Sequence, residues 1–323
     1  MAEHEKRVSD RDFHALTEAR VHEPQRFRRA LVERRRRPLV RDDGRMLLLA
    51  ADHTARGKLA IGQDPMAAAD RHSLLDRVVT GLDDPRVDGV LGSADVLEEL
   101  ALLGALDGRL AVGTMNRGGI VGAQWELDDR LTAYDAEHVV SLGLDGGKTL
   151  LRIDPTDPRV PRTLETVARL VTALADAGTM ALVEPLPYRT GPDGRRELDP
   201  SEDALVQMVA ISSGLGSSSA HTWLKIPATA HPDRVAAATS CPILLLGGDA
   251  GREWQRVFDG WGRALDVPNI RGLVPGRSLL YPEVLGVAEA VGRAGALVHP
   301  APLVHPAPLV HPAAVSPSQE MHP

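Results

Sequence analysis

The stretch that decides the fold is MLLLAADHT, residues 46–54. Its first six residues are apolar, as in a buried strand, and the run ends in Asp52-His53-Thr54. An open dinucleotide-binding sheet would carry a glycine-rich G-x-G-x-x-G loop directly after its first strand. Because the sequence has Asp-His-Thr at that point instead, it favours a closed barrel over an open sheet.

Short apolar runs recur along the chain and alternate with segments of helical periodicity, such as 161–177 and 232–238. This alternation predicts parallel strands joined by helical crossovers. The candidate strands are residues 46–51, 89–91, 110–114, 149–153, 180–184, 222–226, 243–246 and 272–274. Eight repeats predict an α/β fold of the (β/α)8 TIM-barrel type.

Both ends of the chain differ from this central repeat. Residues 1–40 are charged and helical in pattern, with Ser9 and Asp12 spaced as a capping box, and we expect the arginines at 34–37 to form a solvated helix end. From residue 297 onward, near copies of LVHPAP place a proline every few residues, which predicts a disordered or polyproline tail. We therefore divide the chain into an N-terminal helical extension (1–40), a barrel (41–296) and a low-complexity tail (297–323).

The composition narrows the function classes. A net charge of -7 argues against nucleic-acid binding, which needs a basic surface. The chain has a single cysteine, no apolar run of about 20 residues, and an N-terminus without the apolar core of a signal peptide. We expect a cytoplasmic protein, a homo-oligomer, with a small-molecule partner and no contact with membranes or nucleic acid.

Lysine is rare in this chain, where almost every basic residue is arginine; the four lysines are Lys6, Lys58, Lys148 and Lys225. A guanidinium cannot lose its proton and attack a carbonyl, whereas a lysine amine can. Lys225 lies within an apolar strand-like run, and a buried lysine pairs with a carboxylate, reaches water or becomes neutral. A second cation nearby favours the neutral form, and Lys148 at the start of the fourth strand is suited to supply it.

Two carboxylates are predicted at the same mouth, because the carboxyl ends of barrel strands converge there. Glu184 ends the fifth candidate strand and Asp52 ends the first. Glu184 is a candidate proton acceptor or simply an ion-pair partner of a lysine, and Asp52 is an active-site carboxylate or a helix cap. We interpret His53 as a structural residue.

Glycine-rich loops follow the last two strands, with Gly247 and Gly248 in one and Gly276 and Arg277 in the other. Backbone amides in loops seven and eight form the usual phosphate site of these barrels, and arginine adds a forked donor. Glycine pairs also occur in ordinary turns. Asn116 and Arg117, beyond the third strand, are candidates either for a substrate carboxylate or for stabilising their own loop.

Taken together, the segments GKTLLRIDP at 147–155, EPLPY at 184–188, WLKIP at 223–227, GG at 247–248 and GRS at 276–278 resemble the class I aldolase superfamily. That superfamily includes tagatose-bisphosphate, deoxyribose-phosphate and archaeal-type fructose-bisphosphate aldolases. The resemblance spans about residues 40–290 and is strongest to the tagatose-bisphosphate branch and the inositol-pathway barrel.

The resemblance implies that Lys225 forms a Schiff base, with Lys148 and Glu184 as proton-transfer and electrostatic partners and Asp52 as a first-strand carboxylate. It also implies phosphate binding at the two glycine loops with Arg277, and neither metal nor cofactor. The leading substrate is 6-phospho-5-dehydro-2-deoxygluconate of inositol catabolism, cleaved to dihydroxyacetone phosphate and malonate semialdehyde. The alternatives are another ketose-phosphate or deoxyribose-phosphate aldolase, a non-catalytic sugar-phosphate-binding barrel and, more remotely, a metal-dependent aldolase.

Overall fold

The structure is a computed structural model that describes residues 7–116, 123, 125, 127–191, 196–248 and 251–300. Its strands are β1 (Met46–Ala50), β2 (Gly89–Gly92), β3 (Leu110–Thr114), β4 (Gly146–Ile153), β5 (Met180–Thr190), β6 (Arg196–Leu198), β7 (Thr222–Pro227), β8 (Ile243–Leu246) and β9 (Ile270–Val274). All except β6 pair in parallel, and β1 pairs with β9, so eight strands close a ring. The predicted (β/α)8 barrel is confirmed.

Helices surround the ring and precede it. They are α1 (Asp10–His22), α2 (Gln25–Glu33), α3 (Arg71–Leu82), α4 (Ala94–Leu102), α5 (Ala136–Ser141), α6 (Val160–Asp176), α7 (Glu202–Ser213), α8 (Pro232–Ala236), α9 (Trp254–Ala264), α10 (Arg277–Leu280) and α11 (Val287–Val298), with a 3₁₀ helix at His53–Arg56. The predicted capping box of Ser9 and Asp12 begins α1. Among the described residues, no helix combines the length and apolar character needed to cross a membrane.

The interior of the ring follows from the two-residue period of a strand. On β1, Met46, Leu48 and Ala50 face inward, whereas Leu47 and Leu49 pack outward against the helices. Leu182 of β5 and Trp223 of β7 belong to the same inner cluster. Apolar side chains therefore fill the lower part of the barrel, and the next inward position on each strand lies closer to the mouth.

Arg34 and Arg37 pair with carboxylates at the floor of the barrel, so the expectation of a solvated helix end was wrong for these two, whereas Arg35 and Arg36 are exposed. Arg34, whose side chain is 1% exposed, contacts Asp145 ahead of β4, and Arg37 contacts Asp88 ahead of β2. Leu39 and Val40 then pack against the inner apolar cluster. The charge run was misinterpreted because its two carboxylate partners lie far away in the sequence.

The predicted tail begins later than residue 297. Helix α11 continues to the fully buried Val298, and His299 is 2% exposed, with its ring between Asp43 and Asp88. Val298 and His299 thus belong to the folded barrel, and His299 lies at its floor. The rest of the predicted tail, from residue 301, lies outside the described residues.

Strand β5 is longer than predicted, because it continues through Pro185 and Pro187 to Thr190. Ala181 donates its N–H to His221 on the β7 side, so positions 185 and 187 face that side too. Pairing with β7 ends at Val183, so neither proline removes a hydrogen bond from the ladder. Glu184 consequently lies in the middle of its strand, with support from β4 on the other side.

Candidate active site

Four ionisable side chains occupy the inward positions between the inner apolar cluster and the mouth of the barrel. Asp52 follows the inward Ala50 by two residues, Glu184 follows Leu182, and Lys225 follows Trp223. Lys148 is the third residue of β4, which begins at Gly146 and therefore three residues before the predicted start. Its glycine-rich entry, Gly146-Gly147, obscured the strand in the sequence.

These four side chains form one connected network. The Lys148 Nζ atom lies 2.6 Å from Glu184 Oε2 and 3.3 Å from Asp52 Oδ2. The Lys225 Nζ atom lies 3.5 Å from the same Glu184 oxygen. None of the four side chains is more than 10% exposed. Two cations and two anions thus share a small, nearly dry volume, where electrostatic effects are strong.

The network shifts the pKa values of its two lysines in opposite directions. Burial alone would lower the pKa of Lys148, but Asp52 and Glu184 outweigh burial and raise it. Burial lowers the pKa of Lys225, Lys148 lowers it further, and Glu184 and Asp52 offset only part of this. Lys148 therefore stays protonated while Lys225 is the amine that more readily becomes a nucleophile.

Both carboxylates remain ionised in this setting. Burial acts to raise the pKa of Glu184 and of Asp52, but the two lysines lower both below their ordinary values. Glu184 is the shared partner, because its Oε2 atom lies within 3.5 Å of both amines. It is placed to accept a proton from a group bound at Lys225.

The two glycine loops meet each other at the mouth. A Cβ atom at Gly247 would lie 2.2 Å from Ser278 Oγ, and one at Gly276 would lie 2.6 Å from the Ala50 carbonyl oxygen. Only glycine allows this approach of the loops after β8 and β9 to the end of β1. Gly248 has a φ of 66°, and Arg277 begins α10 and donates to the Ala60 carbonyl at 3.4 Å.

Asn116 makes three hydrogen bonds to backbone groups. Its Nδ2 donates to the carbonyls of Asp129 and Leu150, and its Oδ1 accepts from the Leu150 N–H at 2.6 Å. These bonds join the end of β3 to β4, which supports the loop-stabilising interpretation. Arg117 lies outside the described residues, as does Asp249 of the β8 loop.

Three features of the mouth were not predicted. Arg152, the inward residue two positions beyond Leu150, donates to Asp129 at 2.7 Å, and both side chains are fully buried. His53 has its pKa lowered to about 4 by burial together with Arg277 and Lys225, against the opposing effect of Asp52. Arg56 lies one 3₁₀ turn after His53. The period of β4 could have indicated Arg152, but its partner Asp129 comes from a loop that has no sequence signal.

Among the described residues, no group of three or more His, Cys, Asp or Glu side chains is arranged to hold a metal ion. Cys241 is buried and free. The fold and site together define a (β/α)8 barrel with two buried lysines of opposite pKa shift at its mouth.

The comparisons with known proteins identify the family. Residues 44–295 match the model of the Cgl0159-like family. The crystal structure of Cgl0159 from Corynebacterium glutamicum is 42% identical, covers 92% of this chain and 99% of that one, and superposes with a TM-score of 0.88. This chain belongs to the Cgl0159-like family. No curated protein sequence matches it.

Solved archaeal fructose-1,6-bisphosphate aldolases share the fold. One is 17% identical with a TM-score of 0.62 and covers 85% of this chain and 100% of its own. Another, with its catalytic lysine covalently bound to the carbinolamine intermediate of its substrate, is 18% identical with a TM-score of 0.61; the match covers 84% of this chain and 97% of that one. At this identity the likeness concerns the barrel alone.

Proposed function

We propose that this protein is a class I aldolase, a metal-independent lyase that cleaves or forms a carbon–carbon bond through a Schiff base on Lys225. The observation that carries the proposal is the buried amine of Lys225, whose pKa is lowered, 3.5 Å from an ionised Glu184. The shared fold with aldolases that bind substrate covalently through a lysine supports it.

In the first step, the neutral amine of Lys225 attacks the ketone carbon of the substrate and forms a carbinolamine. Loss of water then leaves an iminium ion, which withdraws electrons from the adjacent bonds. Glu184 is within reach of the Lys225 nitrogen and can relay the protons that these steps move. Its negative charge also stabilises the cationic iminium.

In the second step, Glu184 accepts the proton of the substrate hydroxyl, and the carbon–carbon bond breaks. The hydroxyl carbon leaves as an aldehyde, and the bonding electrons move into an enamine on Lys225. Protonation of the enamine carbon and hydrolysis by water release the ketone product and restore the amine. Lys148, kept protonated by Asp52 and Glu184, holds the carboxylate in place throughout.

The substrate class in this proposal is a phosphorylated keto sugar or keto sugar acid. Gly247, Gly248, Gly276 and Arg277 would hold its phosphate through backbone amides and one guanidinium. Our leading substrate is 6-phospho-5-dehydro-2-deoxygluconate, with dihydroxyacetone phosphate and malonate semialdehyde as products, and other ketose phosphates and deoxyribose phosphate are the alternatives.

The test is reductive trapping. The protein is incubated with borohydride and one candidate substrate at a time, and its intact mass is then measured. The candidates are dihydroxyacetone phosphate, fructose 1,6-bisphosphate, deoxyribose 5-phosphate and 6-phospho-5-dehydro-2-deoxygluconate. We expect one adduct per chain, on the peptide that contains Lys225, and none in Lys225→Met. Lys58→Met, which removes a lysine outside the network, is the matched control and should be trapped like the wild type.

Cleavage that continues in Lys225→Met, or that is insensitive to borohydride, would contradict the imine mechanism. Tight binding of the sugar phosphates with neither adduct nor product would instead indicate a non-catalytic binding barrel.

A further inference from the structure

At the mouth of the barrel, strand β3 is shorter than its neighbour β4. Pairing between the two strands ends at Thr114 and Lys148, and Met115 then donates its N–H to the Lys148 carbonyl at 2.8 Å. Strand β4 continues to Ile153 and pairs with β5 along its whole length. Beyond Lys148, the backbone groups of β4 that face β3 therefore need partners other than a neighbouring strand.

Two side chains supply these partners. The amide of Asn116 bonds to both backbone groups of Leu150: its Oδ1 accepts the N–H at 2.6 Å, and its Nδ2 donates to the carbonyl at 2.7 Å. Two residues further along β4, the Asp129 carboxylate accepts the N–H of Arg152 at 3.0 Å. A parallel ladder bonds every second residue of a strand to the same neighbour, so these bonds continue the β3–β4 ladder. Asn116 and Asp129 thus replace the missing end of β3.

This support acts on the part of β4 that carries Lys148. The strand enters through two glycines at 146–147, which have no side chain to pack and weaken a strand. The Lys148 Nζ atom must nevertheless stay 2.6 Å from Glu184 and 3.3 Å from Asp52, which belong to other strands. Asn116 fixes the backbone two residues beyond the lysine, on the side opposite the glycines.

We propose that Asn116 is a positioning residue, which completes the β3–β4 ladder and so holds the amine of Lys148 between its two carboxylates. Asn116 is 1% exposed, and its amide makes three bonds to backbone groups, so it acts through Lys148 and does not contact the substrate. This inference rests on the proposed function, since it concerns the same site.

The consequence of losing this support falls on the nucleophile. The charged groups around the Lys148 amine are Asp52, Glu184 of β5, Lys225 of β7 and Arg56 of the 3₁₀ helix. If the amine moves away from Glu184, that carboxylate pairs with Lys225 alone, and Lys225 keeps its proton to higher pH. Asn116 is itself uncharged, so its removal can change these titrations only through the arrangement of the charged groups.

The experiment observes the protonation of individual lysines. Because the chain has four lysines, protein labelled with ¹³C at lysine Cε gives four NMR signals, and Lys148→Met and Lys225→Met assign the two of interest. The signals are followed against pH in the wild type, Asn116→Ala and Asn269→Ala. Asn269 is the matched control, because its Nδ2 also donates to two backbone carbonyls, at 3.0 and 2.9 Å, but ahead of β9 at the floor.

In Asn116→Ala we expect the pKa values of the two lysines to move toward each other by about one pH unit, with that of Lys225 higher and that of Lys148 lower. Borohydride trapping of dihydroxyacetone phosphate near neutral pH should slow about 10-fold, because its rate follows the neutral fraction of Lys225. Asn269→Ala should lower the free energy of unfolding but leave both titrations and the trapping rate at their wild-type values.

A double-mutant cycle shows whether Asn116 acts through Lys148. In a Lys148→Met background, Asn116→Ala should change the trapping rate by less than about twofold, whereas independent effects would multiply. If Asn116→Ala does not fold, Asn116→Ser takes its place, with the same directions expected.

Unchanged lysine titrations on substitution of Asn116, equal changes in Asn269→Ala, or effects that multiply in the cycle would overturn the role of Asn116. These outcomes are separate from failure of the aldolase proposal. The titrations need no substrate, so they decide the role of Asn116 even if the wild-type protein is not trapped, and absence of trapping in the wild type counts against the aldolase proposal alone.

Discussion

The floor and the mouth of this barrel both bury charged side chains, but among the described residues only the mouth buries lysines, beside its Arg152–Asp129 pair. At the floor, the carboxylate of Asp88 accepts from Arg37 at 2.5 Å, Arg41 at 2.6 Å and His299 at 3.0 Å, and it also accepts the Leu47 N–H. At the mouth, Lys148 and Lys225 share Glu184.

The difference follows from the proton chemistry of the two cations. Arginine stays protonated at any physiological pH and offers several donors, so it suits a permanent ion pair. A buried lysine can change its protonation state, which is useful only where a reaction needs a neutral amine. Two of the four lysines, Lys148 and Lys225, lie in the network at the mouth, whereas the cations paired with Asp88 at the floor are Arg37, Arg41 and His299.

We expect the largest loss of activity from Lys225→Arg, which places at the mouth the kind of cation that the floor uses. It retains the positive charge and the partner Glu184, but a guanidinium cannot form the imine. We expect borohydride trapping to disappear and kcat to fall by about four orders of magnitude or more. Trapping that persists in this variant would refute the assignment of the nucleophile.

Lys148→Met should give the next largest effect. Without Lys148, Glu184 pairs with Lys225 alone, so the pKa of Lys225 rises and less neutral amine is present near neutral pH. We expect kcat to fall by about 10²- to 10⁴-fold and the pH profile of imine trapping to move to higher pH. A profile that stays in place, measured as trapping rate against pH, would show that Lys148 does not tune the nucleophile.

Asp88→Asn tests the ion pairs at the floor of the barrel. It leaves Arg37 and Arg41 without their shared carboxylate in a buried setting, which costs about 3–5 kcal/mol. Denaturant unfolding should show this loss, while the folded variant keeps the wild-type pH profile of trapping. Asp43→Asn, at a carboxylate whose side chain is 35% exposed, is the control and should cost less. Equal losses in the two variants would contradict the central role of Asp88.

The smallest expected effect is a change in the pH dependence of stability on substitution of His299. Burial acts to lower the pKa of His299, but hydrogen bonds to Asp88 and Asp43 raise it above its ordinary value. A raised pKa in the folded state stabilises the fold below the unfolded-state pKa, and this contribution is lost as the pH rises through the folded-state value. Unfolding measured from about pH 6 to pH 9 should therefore show declining stability in the wild type and a flatter curve in His299→Gln. Parallel curves would contradict this linkage.

Much of the fold could be predicted, because periodicity is a local property. The eight strand–helix repeats appear in the order of the apolar runs, and the two-residue period places Asp52, Glu184 and Lys225 on the inner face. The boundaries were less accurate. The fifth strand was predicted to end at residue 184, but β5 continues to Thr190 because pairing with β7 has ended at Val183 before the first proline, and the glycines before Lys148 hid the beginning of β4.

Contacts between distant segments could not be predicted. Arg152 meets Asp129 from a loop, Arg34 meets Asp145 from the N-terminal extension, and His299 returns to the floor from the end of α11. Such pairs are set by the closure of the ring and leave no spacing pattern in a single sequence.

The order of apolar and polar residues was enough to specify a barrel and to place two lysines and two carboxylates at its mouth. The sequence suggested Lys148 as the cation and Lys225 as the neutral amine, but the physical reason for that difference lies in the three-dimensional arrangement. Lys148 lies between two carboxylates, whereas Lys225 contacts one that is already shared. The pKa of a buried group depends on distances to charges on other strands, and those distances exist only once the ring has closed.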